Sequence, residues 1–389
     1  MDYSKLFSED TFNFMASPVR DIFKAVDLAG IYSFAGGYPS AQTFPLSSMQ
    51  DLTQKVVSKY GSKALQYGNT MGVPELREAL CKRYDVDPAN LLVTTSSQQG
   101  IDICSRVLLD PGDVVLAANP TYLGALQSFK SYRAEIVGID LSPSLSAAQK
   151  RMETLHELVS QGKKIKLFYS IPDFQNPSGE TLTLAQRNEL VKLSREFGFL
   201  IIEDAPYREL RYEGESVATV YSLAPERVLH LGSFSKIFAP GLRLGWIVCP
   251  KEVIDKIYIC KQSLDLCAPV FDQYLACEYL TSGELDRNLK RSIELYKGKR
   301  DLMISLLQKY MPEGVSWTHP EGGLFLFLTL PENIDTIALY KEALNRGVAY
   351  VAGSFFYIDG SHRNTMRLNF SFLDSDKMED GIKILASLL

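Results

Sequence analysis

Short apolar segments alternate with amphipathic helical segments over the first three quarters of the chain. The apolar, β-rich segments are residues 91–94, 114–117, 134–139, 164–170, 199–203, 228–231 and 244–249. Buried strands of a parallel sheet have continuous apolar runs of this kind, because helices cover both faces of the sheet. The alternation therefore predicts an α/β fold with a mostly parallel sheet between layers of helices.

The helical segments between these runs have recognisable starting signals. Pro74 suits a first helical position, and Leu76 and Leu80 follow it on one face. Thr183 and Gln186 have the spacing of a capping box, which predicts a helix that continues to residue 197. Further helical segments are predicted over residues 98–109, 122–132 and 260–277.

The pattern changes after about residue 285. A long charged helix is predicted over residues 286–310 and is followed by a strand over 323–330. A helix over 336–346 and a strand over 366–370 come next. Helices and strands in this order predict a smaller α+β domain.

The charge balance narrows the possible partners. The 389 residues include 41 Lys+Arg and 46 Asp+Glu, so the formal net charge is −5. A mildly acidic chain gives no electrostatic reason to expect nucleic acid as a partner. No run reaches the ~18 apolar residues of a membrane-spanning helix, and residues 1–20 lack the pattern of a secretory signal. We therefore expect a cytoplasmic protein with no membrane partner.

The cysteines and histidines do not indicate a metal site. The six cysteines form no C-x-x-C pair, and the four histidines form no H-E-x-x-H motif. We interpret the cysteines as reduced thiols and expect no metal ion. They are Cys81, Cys104, Cys249, Cys260, Cys267 and Cys277.

Polar side chains follow several of the predicted strands. Ser97, Asn119, Asn176, Asp204 and Ser233 each come after an apolar run. Ligands of open α/β sheets bind beyond the carboxyl ends of the strands. We therefore expect a functional site at that edge of the sheet.

Residues 233–246, SFSKIFAPGLRLGW, contain the most informative group of side chains. Phe234 and Phe238 can desolvate Lys236, which would lower its pKa and make the amine a nucleophile. The two serine hydroxyls and Arg243 suit a phosphate dianion. A nucleophilic lysine beside a phosphate pocket suggests pyridoxal 5′-phosphate (PLP), bound as a Schiff base.

The same residues, S-x-S-K-x-x-x-P-G-x-R-x-G-W, resemble the lysine motif of class I/II PLP-dependent aminotransferases of fold type I. Residues 34–39 (FAGGYP) and 67–77 (YGNTMGVPELR) resemble two further blocks of that family. The resemblance spans nearly the whole chain and is greatest to the branch of 2-aminoadipate, kynurenine and aromatic aminotransferases. It implies a large domain with a mostly parallel seven-stranded sheet and a smaller α+β domain.

The resemblance also implies an organisation and an activity. Residues 1–45 would be an arm contributing to the small domain and the active-site entrance, 46–285 the large PLP domain and 286–389 the small domain. The enzyme would move an amino group by ping-pong kinetics from an L-amino acid to a 2-oxo acid such as 2-oxoglutarate. The donor would be 2-aminoadipate, glutamate, an aromatic amino acid or a similar compound. A homodimer with shared active sites would be expected.

The resemblance assigns the central chemistry to three residues. Lys236 would bind PLP and carry a proton between the substrate and the cofactor. Asp204 would pair with the pyridine nitrogen, and Tyr122 would stack on the ring. Asn176, in a segment that resembles F-Q-N-P-T-G, would bind the ring oxygen together with Tyr207.

The phosphate would be held at the start of a helix. The implied ligands are Ser97, Gln98, Ser233, Ser235, Arg243 and, from the neighbouring subunit, Tyr67. Backbone N–H groups of a first helical turn favour an anion. Relatives usually have glycine where this chain has Ser96, so the serine must tolerate a backbone conformation that glycine adopts easily.

The substrate would be held by Arg367, Asn176 and Gly37, with Arg367 binding the α-carboxylate. Arg20 lies in a segment that resembles S-x-I/V-R of the 2-aminoadipate branch, where it would bind a second carboxylate. A local ion pair with Asp21 is the alternative for Arg20. Tyr38 replaces a common leucine, and Cys267 stands where some relatives have histidine. Both differences would shift the substrate preference.

Two other functions fit the same resemblance. A PLP-dependent β-lyase or decarboxylase could use this set of residues, because the fold does not fix the reaction. The domain also occurs in transcription regulators. A regulator needs a DNA-binding domain, and about 45 residues before the large domain leave no room for one.

Overall fold

The computed structural model of the chain describes residues 1, 3–8, 11 and 30–389. Its strands are β1 (Tyr32–Ser33), β2 (Leu91–Thr94), β3 (Val114–Ala118), β4 (Glu135–Ile139), β5 (Ile165–Ser170), β6 (Leu200–Asp204), β7 (Val228–Ser233), β8 (Gly245–Val248), β9 (Ser316–Trp317), β10 (Phe325–Thr329), β11 (Val348–Ala349), β12 (Val351–Ala352) and β13 (Thr365–Asn369). Its α-helices are Leu46–Tyr60, Pro74–Tyr84, Ser96–Leu108, Leu123–Ser131, Leu145–Ser160, Leu184–Phe197, Val220–Leu223, Lys251–Leu264, Val270–Thr281, Glu284–Tyr310, Thr336–Asn345 and Ser375–Ala386. Within these residues, no helix is both long and apolar enough to cross a membrane.

A seven-stranded sheet forms the centre of the molecule. Its strand order is β2-β8-β7-β6-β5-β3-β4. Strand β8 is antiparallel to both of its neighbours, and all other adjacent pairs are parallel. The predicted mostly parallel sheet is confirmed, and each of the seven apolar runs provides one of its strands.

Both faces of this sheet are buried. All five residues of β3 are buried, and Val115 packs in the apolar cluster on one face while Leu116 packs in the cluster on the other. Successive side chains of a strand point to opposite faces, so a strand covered on both sides is apolar throughout. This is why the seven strands could be recognised from continuous apolar runs.

Helix starts and ends agree with local sequence signals. The capping box of Thr183 and Gln186 forms, and Gly198 ends the same helix in a left-handed conformation. The segment 260–277, predicted as helical, contains parts of two helices. The second helix begins directly after Pro269, because proline lacks the N–H that a helix interior needs.

A second, four-stranded antiparallel sheet has the order β12-β13-β10-β9. It places Arg367 of β13 opposite Phe327 of β10. Strand β1 pairs in parallel with β11, so the segment around residue 32 joins the C-terminal part of the chain. The division into residues 1–45, 46–285 and 286–389 stays a prediction.

Candidate active site

A cavity of about 650 Å³ lies at the carboxyl edge of the large sheet and reaches the small sheet. It is lined by most of the side chains predicted to form the site. They are Gly37, Tyr38, Ser97, Gln98, Tyr122, Asn176, Asp204, Tyr207, Ser233, Ser235, Lys236, Arg243 and Arg367. Asn119 does not line it, and its side chain instead accepts a hydrogen bond from the Ile358 N–H at 3.2 Å.

Lys236 follows β7 and extends into this cavity. Its Nζ donates a hydrogen bond to the Gly37 carbonyl oxygen at 2.8 Å. Desolvation lowers the pKa of Lys236 to about 8, and the positive charges of Arg367 and Arg243 act in the same direction. A lysine with this pKa has a substantial fraction of neutral amine near pH 8, which a nucleophile or general base requires.

Asp204 is the last residue of β6 and is only 2% exposed. Its Oδ2 accepts a hydrogen bond from the Tyr169 hydroxyl at 2.8 Å. Its Oδ1 is buried and has no hydrogen-bond partner among the described residues. Burial raises the pKa of Asp204 to about 6, although the hydrogen bond from Tyr169 opposes the shift. An unpartnered carboxylate oxygen on a cavity wall fits a charged N–H donor such as a protonated pyridine.

Sequence reasoning missed Tyr169. It lies on β5 beside β6 and is fully buried, which explains why its hydroxyl needs a partner. The available signal was a tyrosine near the carboxyl end of a predicted strand.

The N-terminus of the helix Ser96–Leu108 forms another wall of the cavity. Ser97 and Gln98 lie in its first turn, where backbone N–H groups have no partner within the helix. Ser233 is buried, and its hydroxyl accepts a hydrogen bond from the Ser235 N–H at 3.1 Å. Ser96 stands where relatives usually have glycine, and it adopts a left-handed backbone conformation with φ +74°.

Tyr122 precedes the helix Leu123–Ser131 and lines the cavity. Its ring lies so close to Gly124 that a Cβ at residue 124 would be 2.5 Å from the Tyr122 Cζ. Glycine at 124 therefore allows the ring to fold back beside the cavity. Burial raises the pKa of Tyr122, so the hydroxyl stays protonated at neutral pH.

Arg367 approaches the cavity from the small sheet. Its guanidinium donates to the Asn176 Oδ1 at 2.7 Å and to the Ala35 carbonyl oxygen at 2.5 Å. Its Nε is buried without a hydrogen-bond partner among the described residues, and the two bonds of its other nitrogens go to an amide and a backbone carbonyl rather than to a carboxylate. Burial lowers its pKa to about 10. A buried arginine without a carboxylate is suited to bind an anionic ligand.

The rings around Arg367 restrict its position. The Cζ of Arg367 lies 4.3 Å from the ring centroid of Phe325 and 5.0 Å from that of Phe356. Tyr207 packs edge-on against Phe325 with a centroid distance of 5.7 Å. Burial raises the pKa of Tyr207, which keeps its hydroxyl protonated beside Asn176.

One of the predicted site residues, Tyr67, does not line this cavity. The Tyr67 side chain is 80% exposed and is not part of the cavity wall of its own chain. Arg20 and its neighbours lie outside the described residues. Tyr38 is at the cavity mouth, where its ring centroid is 5.8 Å from that of Phe372. In the described part of the chain, no group of three or more metal-ligating side chains comes together.

The comparison with protein families decides what kind of enzyme this site belongs to. The family model described as aminotransferase class I and II matches residues 35–385. The chain belongs to this family. It is therefore a PLP-dependent aminotransferase, as the lysine motif predicted.

Similar proteins of known name cover the whole chain. An aromatic-amino-acid aminotransferase of Thermococcus litoralis is 43% identical over 100% of this chain and 95% of its own length. A 2-aminoadipate transaminase of Thermus thermophilus is 33% identical over 100% of this chain and 98% of its own length. The structure of a Pyrococcus horikoshii kynurenine aminotransferase superposes with a TM-score of 0.95 at 44% identity, covering 100% of this chain and 97% of that one.

Proposed function

We propose that this aminotransferase uses Lys236 to bind its cofactor and moves the amino group of an L-amino acid to a 2-oxo acid such as 2-oxoglutarate. One observation carries the proposal. Lys236 lines the same cavity as the buried carboxylate of Asp204 and the buried guanidinium of Arg367. A carboxylate suits the ring nitrogen of PLP, and an arginine suits the carboxylate of an amino acid.

The side chains that line the cavity suit each chemical group of PLP. Asp204 would bind the ring nitrogen, Tyr122 would cover the ring face, and Tyr207 and Asn176 would donate to the ring oxygen. Backbone and side-chain donors at the rim would hold the phosphate, and they are Ser97, Gln98, Ser233, Ser235 and Arg243. When bound, PLP supplies an electron-accepting ring that makes loss of the substrate's Cα proton possible.

Lys236 moves that proton. Its amine would accept the proton from the substrate Cα and then donate it to the cofactor. The pKa of about 8 suits both directions, because the amine can lose and regain a proton near neutral pH. Burial keeps the pKa of Lys236 low, and the positive charges of Arg367 and Arg243 add to this effect.

Arg367 orients the substrate. The guanidinium is already fixed by Asn176 and Ala35, so it can receive a carboxylate without ordering a flexible side chain. Its unpartnered Nε offers a donor for one carboxylate oxygen. Gly37 would line the substrate position, because its carbonyl oxygen lies beside Lys236.

The donor would be 2-aminoadipate, glutamate, an aromatic amino acid or a similar compound. The names of the relatives from T. litoralis, T. thermophilus and P. horikoshii support this range. The ring pair of Tyr38 and Phe372 at the mouth of the cavity supports an amino donor with an aromatic side chain. Arg20 would bind the second carboxylate of an acidic donor.

A panel of amino donors with 2-oxoglutarate tests this range. We expect Arg20→Ala to lower kcat/KM for 2-aminoadipate and glutamate at least tenfold, and to leave phenylalanine and kynurenine within twofold. Arg20→Lys keeps the charge and serves as the control, with a smaller loss for the acidic donors. An equal fall for acidic and aromatic donors would exclude charge recognition by Arg20.

We also propose that the enzyme acts as a cytoplasmic homodimer. The exposed ring of Tyr67 supports a dimer, because this residue has the position of one that reaches the phosphate of a neighbouring subunit in related enzymes. The low cysteine count supports a reducing compartment.

A further inference from the structure

Two residues at the rim of the cavity have left-handed backbone conformations although neither is glycine. Ser96 has φ +74° and Arg243 has φ +50°. This conformation is less favourable for a residue with a side chain than for glycine. Strain of this kind persists where surrounding contacts enforce it, and such residues are concentrated at functional sites.

Several contacts hold Ser96 in this conformation. It is 3% exposed, and the Thr94 hydroxyl donates to its carbonyl oxygen at 2.9 Å. Gly245 packs so closely that a Cβ there would lie 2.9 Å from the Ser96 Cα. The chain therefore keeps Ser96 in a strained backbone conformation that glycine would adopt at lower cost.

The Ser96 side chain has a specific contact. The Arg243 Nη2 donates a hydrogen bond to the Ser96 Oγ at 2.6 Å. Among the described residues, this guanidinium makes one further hydrogen bond, from Nη1 to the Pro240 carbonyl oxygen at 3.2 Å. Arg243 is exposed to solvent, and the shorter of its two bonds, to the buried Ser96 hydroxyl, restricts the guanidinium at the rim of the cavity.

We propose that Ser96 is a positioning residue that holds Arg243 in place to bind a phosphate monoester. The inference rests on the proposed function, which assigns this rim of the cavity to the cofactor phosphate. The serine lowers the stability of the backbone turn and strengthens phosphate binding through Arg243. A glycine would have the opposite effect on both quantities.

The test compares Ser96→Ala, which removes the hydroxyl, with Ser96→Gly, which also relieves the backbone. Dissociation constants of PLP and of pyridoxal, which lacks the phosphate, are measured with the apoenzyme. Competition by inorganic phosphate is measured as well. We expect both variants to bind PLP and inorganic phosphate about fivefold more weakly, with pyridoxal within twofold of wild type. Ser96→Gly should melt at a higher temperature than Ser96→Ala.

A double-mutant cycle shows whether Ser96 acts through Arg243. In an Arg243→Ala background, Ser96→Ala should change the PLP affinity by less than twofold. Asp85→Gly is a matched control, because Asp85 is exposed, has φ +52° and lies at the end of the helix Pro74–Tyr84. This control should stabilise the apoenzyme without changing PLP affinity.

Three results would overturn the inference: unchanged PLP affinity in Ser96→Ala and Ser96→Gly, equal losses for PLP and pyridoxal, or a Ser96→Ala loss that persists without Arg243. These results are distinguishable from failure of the proposed function. If the wild-type protein itself takes up no PLP, the proposed function is wrong and the inference falls with it.

Discussion

Asp204 and Lys236 have opposite pKa shifts within one cavity. Burial raises the pKa of the carboxyl to about 6 and lowers that of the amine to about 8. Desolvation disfavours the charged form of each group, which accounts for both directions. An apoenzyme with such a site is less stable than its packing would allow, and a bound cofactor would relieve the cost of the buried carboxylate.

Replacing Asp204 with asparagine should therefore stabilise the apoenzyme and weaken PLP uptake. The folded-state pKa of Asp204 exceeds its ordinary value of 3.8, so its contribution to stability is present below pH 3.8 and is lost as pH rises through 6. At pH 8 the ionised group costs about 3 kcal/mol. The melting temperature of Asp204→Asn should exceed that of wild type at pH 8, and the difference should shrink as pH falls from 6 to 4.

Calorimetry of the apoenzymes between pH 4 and pH 8 measures this difference. Asp85→Asn makes the same chemical change at an exposed position and serves as the control. A stability difference that is the same at every pH would contradict the assigned burial cost.

The sequence identified individual site residues where a local motif surrounds them. Lys236 and Arg243 were predicted because hydroxyls, glycines and apolar residues stand beside them in the chain. Tyr169 was not predicted, because its role depends on a neighbouring strand and no motif marks it. The contact between Ser96 and Arg243 joins residues 147 positions apart, so sequence spacing gave no sign of it.

At the scale of elements, a buried ion cluster holds the segment between β5 and the helix Leu184–Phe197. Asp173 accepts from Arg187 at 2.8 Å and from Arg208 at 2.9 Å. Arg187 is fully buried and also donates to the carbonyl oxygens of Pro172 and Leu182. These bonds fix both ends of the segment that places Asn176 against Arg367.

Asp173→Asn should lower the melting temperature and raise KM for the amino donor. Loss of one partner of a buried pair leaves an uncompensated charge and costs about 3–5 kcal/mol. Movement of Asn176 would loosen Arg367, so KM should rise more than kcat falls. Differential scanning calorimetry and steady-state kinetics measure the two effects.

The exposed pair of Arg195 and Glu226 provides the control for this change. Its side chains are 54% and 56% exposed, and Glu226→Gln should change neither stability nor KM appreciably. An Asp173→Asn variant as stable as Glu226→Gln would show that the cluster does not hold the segment.

Periodicity predicted the type of most elements but not their spatial order. Continuous apolar runs indicated seven strands, because a strand that is buried on both faces has apolar residues at successive positions. The pairing of β8 with β2 could not be predicted, since it joins segments more than 140 residues apart. The segment containing Cys267 was predicted as helical without a break, although Pro269 is a sequence signal for the end of one helix and the start of the next.

At the scale of the whole molecule, a net charge of −5 contrasts with a positively charged site. Lys236, Arg243 and Arg367 all line the cavity, where Asp204 is the buried carboxylate. Composition excluded nucleic acid as an expected partner but could not show this local concentration of cations. Phosphate and carboxylate groups are the ligands that such a concentration favours.

Complementation between inactive variants tests the proposed dimer. If Tyr67 acts on the neighbouring subunit, a hybrid of Tyr67→Ala and Lys236→Ala subunits contains one site with both side chains intact. Co-expressed, doubly tagged hybrids should therefore regain one site of wild-type PLP affinity per dimer. The exposed Tyr3 provides the control, because a hybrid of Tyr3→Ala and wild-type subunits should keep both sites.

Analytical ultracentrifugation should show a dimer at the enzyme concentration used in the assay. A monomer with full activity, or a hybrid that regains no site, would contradict a shared active site.

Chemical trapping at Lys236 tests the central claim most directly. PLP gives the protein a visible absorbance, and sodium borohydride fixes the cofactor to the amine that holds it. Peptide mapping of the reduced enzyme should locate the label on Lys236, and Lys236→Ala should take up no label. A label on another lysine, or a wild-type protein that remains colourless with excess PLP, would contradict the account.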